Sequence, residues 1–229
     1  MQHLLDFYEK KLGAEGFYNF LAKKIDNCST EFINKDLFLG NKKECVLNLS
    51  SPNVEPKDIR IDLPILLGNI NSKVRIMILG LEPRHTNDFY NIFKAENKVF
   101  ATPFGIDRWY SNNRKNIYAS AFEKFLTKER LFLFSDFVKE YEVSDPNDKR
   151  LNDQNARENF KNKFSETYKA ILEKEIEIFE PTLIIALGKT DINKKVDKQW
   201  LKHYNVHIIS HPTNGNYNKM QSELIEILK

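Results

Sequence analysis

Cysteine is nearly absent from this chain: Cys28 and Cys45 are the only two, and no CxxC spacing links them to a metal site. Two thiols cannot hold zinc or an iron–sulfur cluster without ligands of other kinds, so the spacing predicts free thiols in a reducing compartment and no metal or other cofactor. No apolar stretch approaches the ~20 residues a membrane span needs, and the N-terminus carries no apolar signal-peptide core. Both absences predict a soluble, cytoplasmic protein without a membrane partner. A charge excess of one sign is also missing, since 35 Lys and Arg against 32 Asp and Glu leave a formal net charge of +3. No overall basic field announces nucleic acid, although local clusters can still bind phosphate. A GxxxxGK[ST] loop and a GxGxxG fingerprint are both lacking, which leaves an unrelated nucleotide-acting α/β enzyme without support.

What is present is apolar content, 41% of 229 residues, enough for one domain with a real core. Residues 1–26 carry Leu4, Leu5, Tyr8, Leu12, Phe17, Phe20, Leu21 and Ile25 at mostly helical spacing, interrupted by Gly13 and Gly16, and predict framework helices packed on the domain. Residues 27–57 mix Asn, Ser, Gly and Pro with short apolar patches and predict irregular structure; 1–57 therefore reads as a helical and irregular N-terminal extension of a single domain over 1–229. After Asn71 the pattern turns regular. Compact apolar runs at 74–79, 131–135, 182–187 and 206–209 alternate with helical candidates near 85–97, 113–127, 154–179, 191–202 and 216–228, with a polar loop over 143–155. Continuous apolar runs suit parallel strands covered on both faces, and the alternation predicts a three-layer α/β/α sandwich around a central four-stranded, mainly parallel sheet.

Two segments place chemistry at strand ends, where open α/β sheets bind their ligands. The run Val74–Leu79 continues into Gly80-Leu81-Glu82-Pro83-Arg84-His85, and the run ending at Ile209 continues into Ser210-His211-Pro212-Thr213-Asn214. The first resembles the opening motif of the uracil-DNA glycosylase superfamily, a strand running into Gly-x-Asp-Pro-Tyr-His or Gly-Glu-x-Pro-Gly. The second resembles its His-Pro-Ser motif. Two weaker likenesses lie between them in the expected order: Leu133-Phe134-Ser135-Asp136-Phe137-Val138-Lys139 for the base-reading strand, and Glu180-Pro181-Thr182-Leu183-Ile184-Ile185-Ala186-Leu187-Gly188 for a Pro-x-x-Ile-x-x-Leu-Gly strand.

The resemblance implies a uracil-DNA glycosylase-like fold and hydrolysis of an N-glycosidic bond in DNA by a monomeric enzyme. That reaction builds positive charge on the sugar and negative charge on the departing base. Glu82 is implied to orient the attacking water and stabilise the sugar, and His211 to hydrogen-bond the pyrimidine O2 as charge gathers there. The base must leave the duplex, and Phe100 stands where the family stacks an aromatic ring on it, although core packing explains a phenylalanine equally well. Glu82 as a turn carboxylate and His211 as a loop residue are the plain structural alternatives.

Departures from the family pattern bear on the substrate. Uracil enzymes read the base with an Asn, and the following Phe-Val-Lys aligns that position with Asp136. Cytosine presents a donor at C4 and an acceptor at N3, the reverse of uracil. A carboxyl group accepts from the amino group and, if desolvation keeps it protonated, donates to N3. In the other register Ser135 reads the base and Asp136 caps a following helix. Leu81 adds an apolar contact beside the base. Arg84 replaces the tyrosine that walls off C5, which favours a polar C5 substituent such as hydroxymethyl or a sugar, or else provides a phosphate contact or ion pair. Bases of that kind mark some viral genomes, which suggests antiviral defence. His85, Arg108, Lys189, Thr190, Thr213, Asn214 and Lys219 are the candidate DNA contacts, with Gly215 near the place of the family's leucine wedge. Conventional uracil repair and a non-catalytic module that binds modified DNA are the competing functions.

Overall fold

The computed structural model describes residues 3–4, 7–8, 59–62, 64–81, 94–95, 98–101, 121–142, 166–212 and 215–229. Both cysteines, segment 27–57 and the loop at 143–155 lie outside the described residues. In chain order the strands are β1 (Ile59–Asp62), β2 (Ile65–Gly68), β3 (Val74–Gly80), β4 (Lys94–Ala95), β5 (Lys98–Ala101), β6 (Arg130–Asp136) and β7 (Glu140–Glu142). Then follow α1 (Glu166–Phe179), β8 (Leu183–Leu187), α2 (Lys189–Lys195), α3 (Lys198–His203), β9 (His207–Ile209) and α4 (Tyr217–Ile227).

The main sheet has five strands in the order β2-β6-β3-β8-β9. β6, β3, β8 and β9 are mutually parallel, and these are the four strands expected from the apolar runs. Ile76 to Leu79 and Ile184 to Leu187 are all buried at successive positions. Because successive side chains point to opposite faces, such runs mean that both faces are covered, which is the three-layer arrangement. Leu172 and Phe179 of α1, Ile192 of α2, Trp200 and Leu201 of α3, and Met220 and Leu224 of α4 join the strands in one core. Each large apolar side chain so buried contributes about 1.5–3 kcal/mol. Leu4 and Tyr8, helical as expected, are completely buried in that core.

The fifth strand is a departure from the expected four. β2 runs antiparallel along the outer edge of β6, with Leu67 opposite Phe132. Gly68 ends it at φ +114°, where an added Cβ would stand 2.3 Å from the Arg130 carbonyl oxygen, so only glycine fits. A second, small sheet has the order β4-β5-β1-β7. Its presence corrects the end of the helix expected over 85–97, because Lys94 and Ala95 pair with Val99 and Lys98. The helix expected over 191–202 is two helices. Asp197 breaks it by accepting hydrogen bonds from the backbone N–H groups of Gln199 and Trp200, a side-chain cap that starts α3. The candidate helix near 113–127 is described from Ala121 on and closes in a 3-10 turn at Glu123–Phe125. Among the described residues no helix is long and apolar enough to cross a membrane.

Candidate active site

Parallel pairing brings the C-terminal ends of four strands to one edge. Gly80 of β3 lies directly opposite Asp136 of β6, Leu79 opposite Ala186 of β8, and Leu187 opposite Ile209 of β9. At about 4.8 Å per strand, the β6 and β9 backbones stand some 14 Å apart with β3 and β8 between them. The segments that leave this edge are Gly80-Leu81 toward Glu82, Asp136 toward Lys139, Gly188 into α2, and Ser210-His211.

The edge is held mainly by backbone bonds. Past the last paired residues, the N–H groups of Phe137 and Val138 donate to the carbonyl oxygens of Gly80 and Leu81 at 2.9 and 3.0 Å. The chain entering Glu82 is therefore fixed to the turn that follows Asp136. Leu81 is half-buried and packs on Val138 and Tyr168. On the other side the Gly188 N–H donates to the Ile209 carbonyl at 2.9 Å. Gly188 has φ +111°, and its Cα side faces His211, whose Cδ2 would lie 4.0 Å from an added Cβ.

Asp136 is the last residue of β6 and is 2% exposed. The chain after it bends and enters β7, so no helix follows directly for Asp136 to cap. Ser135 is completely buried, and strand alternation turns it to the opposite face from Asp136. Its hydroxyl contacts Glu175 Oε2 at 3.0 Å and Asp62 Oδ2 at 3.4 Å, and receives a hydrogen bond from Lys139 Nζ. Ser135 thus belongs to an internal cluster and not to the open edge.

That cluster went unread in the sequence. Asp62, Ser135, Lys139 and Glu175 are each fully buried. Lys139 Nζ stands 2.7 Å from Glu175 Oε1 and 3.1 Å from Asp62 Oδ2. Burial pushes the Asp62 carboxyl up to about 7, against the pull of Lys139 and with the push of Glu175. Burial also raises Glu175, with Lys139 and the neighbouring Tyr8 hydroxyl opposing it. For Lys139 burial acts downward, but the two carboxylates outweigh it and hold the ammonium charged. A signal for Glu175 existed: it lies between Leu172 and Phe179 at helical spacing, an acid on an apolar stripe.

His211 is half-buried after β9. Burial lowers its pKa from 6.5, and the Asp191 carboxylate on α2 partly offsets the effect. Glu223 of α4 holds the approach to it, accepting from the Ser210 N–H at 2.6 Å and from Lys189 Nζ at 2.5 Å. Lys189, expected as a phosphate contact, is therefore ion-paired with Glu223. Thr190 and Lys219 are exposed, on α2 and α4. Phe100 lies on β5 with its backbone opposite Ile61 of β1. Glu82, Arg84, His85, Arg108, Thr213 and Asn214 lie outside the described residues. Among the described residues no three acids, cysteines or histidines gather as a metal site.

Comparison with curated proteins and with solved structures finds no match. The family model described as the Uracil DNA glycosylase superfamily matches residues 67–229, well over half the chain, including all five strands of the main sheet but for the first two residues of β2. The chain belongs to the uracil DNA glycosylase superfamily, whose members act on DNA.

Proposed function

We propose that this protein is a monofunctional DNA glycosylase that excises a flipped cytosine-type base modified at C5, such as hydroxymethyl or glucosylated cytosine, in defence against viral DNA. Glu82 takes a proton from a water whose oxygen bonds to C1′ of the sugar. The electron pair of the broken C1′–N1 bond passes to the base, and His211 donates a hydrogen bond to the O2 where negative charge collects. Asp136 reads the base edge, accepting from the N4 amino group and, in its protonated form, donating to N3. Phe100 stacks on the extruded ring, Leu81 packs beside it, and Arg84 hydrogen-bonds the C5 substituent. The observation that carries the reading is the burial of Asp136 at the β6 end, one strand from the segment that leads into Glu82. An acid there, where the family reads uracil with an amide, reverses the preferred hydrogen-bond pattern.

The product on this reading is an abasic site without strand cleavage; Lys139, the lysine nearest the β6 end among the described residues, is held charged between two carboxylates and does not serve as a nucleophile. The test is incubation of matched oligonucleotides carrying uracil, cytosine, 5-hydroxymethylcytosine or glucosylated 5-hydroxymethylcytosine, with released bases identified by mass spectrometry. Release of the modified cytosines ahead of uracil is expected. Efficient excision of uracil alone would falsify the modified-cytosine reading, and binding without release from any substrate would favour a recognition module.

A further inference from the structure

Three donors converge on a single oxygen of Asp62. The Asp136 backbone N–H reaches Asp62 Oδ2 at 3.1 Å, Lys139 Nζ at 3.1 Å and the Ser135 hydroxyl at 3.4 Å. In return the Asp62 N–H donates to the Lys139 carbonyl at 2.8 Å. Asp62 and Lys139 are thus bound to each other through both main chain and side chain. Asp62 is also the last residue of β1, opposite Ala101, and its neighbour Ile61 is opposite Phe100 of β5. The path from the Phe100 backbone to the Asp136 peptide therefore runs through one ladder pair, one covalent step and one charged hydrogen bond. Lys139 extends the joint to α1 through Glu175.

A buried ion cluster is a poor device for stability, because desolvation consumes most of the Coulombic gain, and an apolar replacement of equal volume often serves as well. What it supplies is directional: a buried carboxylate oxygen with several donors has few alternative positions. We propose that the Asp62–Lys139 pair, with Ser135 and Glu175, is a positioning joint that fixes the strand carrying Phe100 against the strand end carrying Asp136, and so sets how selectively a flipped base is held. The inference rests on the proposed base-reading role of Asp136, and it assigns none of the four residues to the bond-breaking step. They are positioning residues, and their loss falls on discrimination between bases more than on turnover of the preferred one.

The experiment compares the full-length wild type with Asp62→Ala, Asp62→Asn, and the neutral triple replacement Asp62→Leu/Lys139→Met/Glu175→Gln. Leu67→Ala serves as the control, since Leu67 is fully buried but lies on β2 opposite Phe132, away from the cluster. Three quantities are read over DNAs carrying uracil, cytosine and the modified cytosines: kcat and KM for base release, and equilibrium affinity by fluorescence anisotropy. Asp62→Ala is expected to reduce the preference between the best and second-best base about tenfold, the weight of one charged hydrogen bond, mostly through KM. Asp62→Asn keeps an oxygen that accepts from the Asp136 N–H and retains most of the preference, whereas the stable triple replacement loses it. Leu67→Ala loses stability with its preference intact.

A folded Asp62→Ala or triple variant with wild-type preference overturns the joint while leaving the glycosylase reading in place, and so does an equal loss in Leu67→Ala. Should Asp62→Ala fail to fold, the triple replacement decides alone. Wild type that releases no base yet binds the DNAs selectively, with selectivity lost in the triple replacement, upholds the joint and removes the glycosylase reading. Wild type that neither releases nor discriminates overturns both.

Discussion

At the β6 end of the site Asp136 is backed by a lysine, two carboxylates and a serine hydroxyl with no contact to water. Three strands away Ser210, the residue before His211, is held by Glu223, which pairs with Lys189; their side chains are 17% and 47% exposed. Both arrangements use an ion pair to set a loop, yet the first works in a low-dielectric interior and the second at a screened surface. The contrast assigns different tolerances to the two ends of the site. Geometry behind Asp136 is costly to disturb, whereas the ion pair beside Ser210 and His211 lies where salt can screen it.

The largest expected effect comes from removing the cation of the buried cluster. Lys139→Met leaves Asp62 and Glu175 facing each other without a counter-ion and should cost about 3–5 kcal/mol of unfolding free energy, measured by urea denaturation. A loss below about 1 kcal/mol would mean that water reaches the cluster and that the two ends are not different in kind.

Next in size is His211→Ala, which should slow base release by about 10²–10³-fold, the usual loss for one donor to a developing anion, with little change in unfolding midpoint. The pH profile sharpens the same point. Since burial lowers the folded-state pKa of His211 below 6.5, the unfolded chain takes up its proton first as pH falls. The neutral imidazole therefore persists below pH 6.5 in the folded protein, and single-turnover release should hold through that pH and break only at more acid values. The matching contribution to stability is present above 6.5 and lost as pH falls through the lowered value. A break above 6.5 assigned to His211 by comparison with the alanine variant would count against this picture.

The smallest effect belongs to Glu223→Gln, which keeps an acceptor for the Ser210 N–H but discards the ion pair with Lys189. Release should slow by about fivefold or less, and raised salt should produce part of the same loss in the wild type. A hundredfold loss would show that the histidine end is as rigid as the acid end.

Four strands of the main sheet were legible because each is a continuous apolar run, and the placement of Asp136 and His211 at strand ends was legible because those runs stop at or just before them. β2 was harder to read: its four residues, Ile65–Gly68, carry no period, and its position comes from pairing with β6. The small sheet was invisible for a related reason: Lys94–Ala95 is two residues long and pairs with the neighbouring β5, and Glu140–Glu142 is short, mostly acidic and held by β1, distant in sequence. Lys139 was read only as an alignment mark, because its meaning depends on Asp62 and Glu175, neither of which announces a partner locally. The Lys189 ion pair was missed likewise: a lysine at the start of a helix after a parallel strand suits a phosphate equally well, and only the fold brings Glu223 to it.

The burial of Leu4 and Tyr8 bears on how the protein is made. Tyr8 faces Glu175 of α1, a residue far along the chain, and joins with Leu4 the core built from the main sheet and its helices. Contacts of such long sequence separation form slowly, because a large loop must close before they are gained. Docking of Leu4 and Tyr8 is therefore expected late in folding, once the sheet and α1 that receive them are in place.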